Sequence, residues 1–154
     1  MSFLILIHVL SAVIGVGPIF FIHILLRKEQ SVQELRFSMK IAKKLLLFPK
    51  IGGLTAVLTG LLIILLNDYG TFFQLWLVGS LVLYLIAQVI LLGFIAPRQK
   101  KIASWLFDPN NNNEIKLPFE IILMRSQVNL LFYISTTLIL FIFVLMILKP
   151  LVFV

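Results

Sequence analysis

The sequence predicts an all-α integral membrane fold, an antiparallel four-helix bundle with both termini outside the cell. Three observations predict it. Of the 154 residues, 61% are hydrophobic and 12% charged, with a mean hydropathy of +1.12, whereas soluble domains are about 45–50% apolar and about 25% charged. Four apolar runs reach the roughly 20 residues that a membrane helix needs. Twelve of the thirteen Lys and Arg residues fall in two stretches, 27–50 and 98–125, which join spans one to two and three to four. The spans use nearly the whole chain, so a single transmembrane domain over 1–154 is expected.

Span one covers about 3–26 with no formal charge. A secretory signal peptide would bring a basic leader, a shorter apolar run and a small-residue cleavage site. Here Met1-Ser2 carry no charged side chain and Arg27-Lys28 follow the run, so a retained helix is expected. Pro18 lacks an amide donor and crowds the carbonyl of Ile14, which bends the helix, and Gly15 and Gly17 permit the bend. Spans two, three and four cover about 46–66, 72–96 and 121–148. Asn67-Asp68-Tyr69-Gly70-Thr71 is turn chemistry and makes spans two and three a hairpin.

The first basic connection is itself helical by its pattern. Ser31-Val32-Gln33-Glu34 matches a capping box, and Val32, Leu35, Met39, Ala42 and Leu46 recur at three- and four-residue steps. An amphipathic helix over about 32–48 follows, with Lys40, Lys43 and Lys44 off its apolar face, and Pro49 should kink or break it. Its lysines either meet anionic lipid headgroups, with the apolar face inward, or form a solvated charged face. In the second connection, Asp108-Pro109 and the four asparagines 110–113 read as a mobile polar turn. Pro118 and Glu120 suit the start of span four.

The charge pattern orients the chain. Seven basic residues lie in 27–50 and five in 98–125, none in 67–71, and Lys149 alone follows span four. The positive-inside rule puts both basic connections in the cytoplasm of a multi-pass protein of the bacterial cell membrane. The net charge of +7 is therefore a topology signal, and no basic-aromatic module accompanies it to suggest nucleic acid. The absence of cysteine excludes disulfides, thiolate metal sites and thiol nucleophiles. No Walker loop, dinucleotide fingerprint, nucleophile elbow or zinc-protease motif supports a soluble-enzyme reading.

All six carboxylates lie outside the spans, so the relay expected of a proton-coupled transporter is missing. The spans hold neutral polar residues instead. Ser80, Tyr84 and Gln88 recur every four residues in span three, and Arg125, Asn129, Tyr133 and Thr137 do so in span four. Antiparallel packing would set Gln88 level with Asn129, Tyr84 with Tyr133 and Ser80 with Thr137. With Ser11, Thr55 and Thr59, these predict an interior polar strip, serving either interhelical hydrogen bonding or a substrate path. Gly52, Ala56 and Gly60 form a small-residue seam that packs within the bundle or makes a homodimer.

Two histidines remain, 15 residues apart on span one, roughly 22 Å along a helix. They cannot ligate one metal ion or the two faces of one haem. His23 reads as an interfacial residue near headgroups. His8 reads either as a buried imidazole bonded to Ser, Thr or Tyr, or as a ligand to a metal or redox group. Met146, near the end of span four, is at a depth suited to a sixth ligand opposite His8.

The stretch His8-Val9-Leu10-Ser11-Ala12-Val13-Ile14-Gly15-Val16-Gly17-Pro18-Ile19-Phe20-Phe21 resembles the first-helix signature of an uncharacterised family of small bacterial membrane proteins. That family is distantly related to the copper-resistance membrane protein CopD and to HemJ-type protoporphyrinogen oxidase. Phe48-Pro49-Lys50-Ile51-Gly52-Gly53 and Ala96-Pro97-Arg98 fit the same resemblance. It implies a four-helix bundle with a functional first-helix histidine, here His8, and, through the HemJ relationship, haem b. Two readings of function follow: a non-enzymatic membrane protein serving small-solute passage or complex assembly, and a haem-associated redox protein or oxidoreductase with His8 as axial ligand.

Overall fold

The computed structural model describes residues 2–27, 29–66 and 74–149. Six α-helices follow in order: α1 (Ser2–Leu25), α2 (Val32–Leu45), α3 (Leu47–Leu66), α4 (Leu75–Gln88), α5 (Ala96–Leu106) and α6 (Phe119–Leu148). A π-helical segment, Val89–Ile95, joins α4 to α5, and a 3-10 turn, Pro109–Asn111, precedes α6. Four helical runs are long and apolar enough to cross a membrane: Ser2–Leu25, Val32–Leu66, Leu75–Leu106 and Phe119–Leu148. The molecule is an all-α four-helix membrane bundle. The expected 67–71 turn lies outside the described residues.

The bundle is built from two close helix pairs, α1 with α3 and α4 with α6, and α1 packs on α6 to join them. Spans two and three, expected as hairpin partners, thus each take another principal neighbour. They meet where the Tyr84 hydroxyl comes within 3.7 Å of the position a Cβ would hold at Gly53. The α1–α3 choice follows from backbone shape. A Cβ placed on Gly52 would stand 2.5 Å from Cα of Gly15 and 2.7 Å from the carbonyl oxygen of Ser11. Only glycine at both positions lets the backbones approach this closely. The small-residue seam, left between bundle packing and a dimer, is therefore occupied by α1 of the same chain.

Proline explains two breaks in the long helical runs. Pro49 has no amide to donate to the carbonyl of Leu45, and α2 ends there, with Leu46 as the joint before α3. Pro97 imposes the same defect on the Leu75–Leu106 run. Its ring would crowd the carbonyl of Gly93, and the helix widens into the π-segment just before it. Ala96 then donates to Leu91, five residues back. Helix continues past Ala96, the expected end of the third span, to Leu106, and carries Lys100 and Lys101 beyond the apolar stretch.

The basic end is tied together by α2. Ser31 caps it, its hydroxyl accepting from the Glu34 amide at 3.3 Å while Glu34 accepts from the Ser31 amide at 2.8 Å. The Ser31 amide and hydroxyl, both donating to the Glu34 carboxylate, hold that carboxyl below its ordinary value. Val32, Leu35, Met39 and Ala42 are buried in the common apolar core with Ile102, Leu106 and Ile121, so the apolar face of α2 is covered by protein. Lys40, Lys43 and Lys44 remain exposed. Arg36 donates to three carbonyls: Leu106 at 2.8 Å, Asn111 at 2.6 Å and Asn112 at 3.1 Å. Asn111 also donates to Trp105 at 3.0 Å, and Asp108 accepts from the Asn110 amide at 2.9 Å. The asparagine run, expected as a mobile connection, is instead a pinned turn. Its carbonyls supply what a guanidinium needs.

Two outcomes are expected. Arg36→Leu should lower stability by about 2 kcal/mol, the loss of charge-assisted bonds to carbonyls that stay in place, and should speed proteolysis within 107–114. Gly52→Leu should lower the thermal midpoint far more than Gly17→Leu, because nothing lies within 4 Å of a Cβ at Gly17. Circular-dichroism melts of the detergent-solubilised protein check both.

Candidate functional site

His8 is the best-built polar group in the apolar part of the bundle. It sits on α1, partly buried, and reaches across the seam to α3. Its Nδ1 lies 2.8 Å from the carbonyl oxygen of Ala56 and 3.2 Å from Oγ1 of Thr59. A carbonyl only accepts, so Nδ1 carries the proton. Thr59, itself buried, donates its hydroxyl to Thr55 at 2.7 Å and Ala56 at 3.1 Å, leaving oxygen lone pairs toward the imidazole. Gly60 makes room for the ring: a Cβ there would stand 3.0 Å from Cε1, 3.3 Å from Nδ1 and 4.0 Å from Nε2. In neutral His8 the lone pair is therefore on Nε2, the nitrogen farthest from α3. A backbone carbonyl that fixes Nδ1–H is also the arrangement that orients a ligating histidine and raises the basicity of its other nitrogen.

Met146 does not join this site through any contact that fixes His8, all of which are on α3. The end of α6 that carries Met146 faces α4, where the Leu145 side chain lies 3.2 Å from the Cβ position at Gly79. Lys149 reaches the same helix, its ammonium 5.3 Å from the Trp76 ring centroid.

The polar strip comes together only in part. Ser80 and Asn129 are buried, Tyr84 and Gln88 half-buried, Tyr133 is 53% exposed and Thr137 exposed. Thr137 spends its hydroxyl on the carbonyl of Tyr133 at 3.0 Å, and Ser80 spends its own on Trp76 at 2.5 Å. The cause is helical drift. Residues four apart advance about 40° beyond a full turn, so a strict four-residue repeat winds off one face within three steps. The buried stripe of α6 alternates steps of four and three: Ile121, Arg125, Val128, Phe132, Ser135, Ile139. The expected level pairing of α4 and α6 is displaced as well. Gly79 stands against Leu145, and Arg98 donates to Gln127 at 3.0 Å, so Ser80 lies level with α6 beyond Thr137. Ser11 lies beside the α1–α3 seam with its carbonyl against Gly52, apart from α4 and α6.

Sequence reasoning missed a second polar region, at the basic end. His23 stacks on Tyr133, with ring centroids 4.4 Å apart and planes within 12°. The stack ties α1 to α6 at this level. Ser135 is fully buried. His23 Nδ1, Asn129 Oδ1 and Ser135 Oγ are buried without a hydrogen-bond partner in the structure. The step-of-three positions on α6 carried the signal for Ser135. Nothing in the order of residues marks the pairing of His23 with Tyr133. Among the described residues, no group of three or more His, Asp or Glu side chains converges as a metal site.

Four helices long and apolar enough to cross a membrane define a multi-pass integral membrane protein. The chain belongs to the DUF2269 family of predicted integral membrane proteins, whose model matches residues 2–150. Comparison with curated proteins and with solved structures gives no match.

The stack generates a measurable coupling. His23→Leu and Tyr133→Leu, made singly and together, should show an interaction of about 1 kcal/mol in a double-mutant cycle on unfolding free energy, as aromatic pairs do.

Proposed function

We propose that the protein is a haem-associated membrane redox protein in which His8 supplies one axial ligand through Nε2. The observation that carries this reading is the Nδ1–H bond to the Ala56 carbonyl at 2.8 Å, which leaves the ligating lone pair on the nitrogen away from α3. The donor chemistry fits one axial position of haem b. The first-helix signature, through the distant HemJ relationship of the family it resembles, implies the same histidine. Haem b, when bound, supplies one-electron chemistry. The chain's own residues do the rest. Ala56 and Thr59 fix the imidazole, and Gly60 admits it. Met146 is a weak candidate for the opposite position: its neighbour Leu145 packs toward Gly79 of α4, and no contact that fixes His8 involves α6.

The cellular frame of this reading is a bacterial cell membrane, with the basic end in the cytoplasm, both termini outside, and exposed Lys40, Lys43 and Lys44 toward anionic headgroups. A second reading, small-solute passage or complex assembly, draws support from buried Ser80 and Asn129. The outward turn of Tyr133 and Thr137 weakens a continuous path through them.

A visible spectrum of the protein purified from haem-supplied membranes tests the proposal. The expected result is a Soret band that His8→Ala removes and Met146→Leu preserves or shifts. A protein that stays colourless after haem loading contradicts it.

A further inference from the structure

Beside the α1–α3 seam runs a groove of about 440 Å³, from Leu47 and Phe48 at the basic end to Ile7 at the other, with Gly52 in its floor. Ser11 and Thr55 are its only side chains with a hydroxyl. Thr55 turns its hydroxyl onto the carbonyl of Ile51 at 2.9 Å, so the wall it presents is apolar. The groove exists because Gly15 and Gly52 draw the helix backbones together, while the small side chains beside them leave a channel unfilled. On α3 it spans Leu47 to Thr55, a rise of about 12 Å, against the roughly 15 Å depth of one leaflet's hydrocarbon.

Its mouth is positively charged. Lys44 lies four residues before Phe48 and Lys50 one residue before Ile51, and both are exposed. By helical spacing Lys44 falls three, four and seven residues before the lining residues Leu47, Phe48 and Ile51, which puts it one turn from Phe48 on the same stripe, and Lys50 follows Leu47 by three. Glu34, the acidic residue of α2, is ten residues from Lys44 and engaged by Ser31.

We propose that this groove is a discrete site for one anionic phospholipid, its acyl chain lying between α1 and α3 and its phosphate held by Lys44 and Lys50. Lysine at this depth extends along its own apolar stem to place the ammonium at the headgroup. The site differs from a general basic collar in requiring both the slot and the two lysines at its mouth. It does not depend on the haem reading, since His8 is not among the groove's walls.

Native mass spectrometry of the full-length protein, released from nanodiscs of equal phosphatidylglycerol and phosphatidylcholine, tests it. Wild type should retain one phosphatidylglycerol. The double variant Lys44→Gln, Lys50→Gln should lose the preference for phosphatidylglycerol by roughly tenfold, and Lys100→Gln, Lys101→Gln should keep it. Thr55→Phe, which fills the slot and keeps every charge, should abolish retention of either lipid. Ser11→Leu fills the same slot from α1 and replaces it if Thr55→Phe does not fold. Equal loss of preference in the two lysine pairs, or undiminished retention in a folded slot-filled variant, overturns the proposal.

Discussion

The contact of Gly15 with Gly52 is the constraint on which the rest of the bundle depends. In a membrane no hydrophobic force drives one apolar helix onto another, so close packing and interhelical hydrogen bonds decide the partners. Two glycines in register allow the α1 and α3 backbones to touch, with a Cβ on Gly52 falling only 2.5 Å from Cα of Gly15. One to two turns along α3 from Gly52, that same approach brings His8 within reach of the Ala56 carbonyl and into the gap at Gly60. Beside it, the approach leaves the apolar groove. The pairing of helices, the orientation of the imidazole and the slot for a lipid chain thus share one cause.

The opposite end is organised by polar bonds. Arg36 joins α2 to the end of α5 and to the asparagine turn through three carbonyls. Arg98 joins the start of α5 to α6 through Gln127. These bonds lie where water or headgroups would otherwise compete, so their worth comes from geometry: a planar guanidinium meets several carbonyls at once, as lysine cannot. The apolar face of α2 packs on the protein, which leaves Lys40, Lys43 and Lys44 exposed.

The fold class was legible because it rests on composition and on runs of apolar residues. The capping box at Ser31 and Glu34 was legible too, being a local bond between residues three apart. Long-range choices were not. Loop length suggested that spans two and three pair most closely, whereas backbone fit at two glycines, 37 positions apart in the chain, joins α1 to α3. The polar strip comes together only in part for a simpler reason: a four-residue repeat read as one face drifts around a 3.6-residue helix, which carries Thr137 outward and leaves Ser135 buried. The asparagine run looked mobile by composition, and the long-range bonds it receives come from Arg36, 75 positions away in sequence from Asn111. His8 stood out for its chemistry alone, and its partners Ala56, Thr59 and Gly60 emerged from the fold.

Nitrogen-15 NMR of the His8 imidazole in bilayers measures the central claim most directly, because the tautomer reports the α1–α3 contact and the availability of Nε2 together. In haem-free protein at neutral to alkaline pH, the account predicts a neutral ring protonated at Nδ1, with a hydrogen-bonded shift that Gly52→Leu abolishes. A ring protonated at Nε2, or a tautomer mixture unchanged by Gly52→Leu, would contradict it.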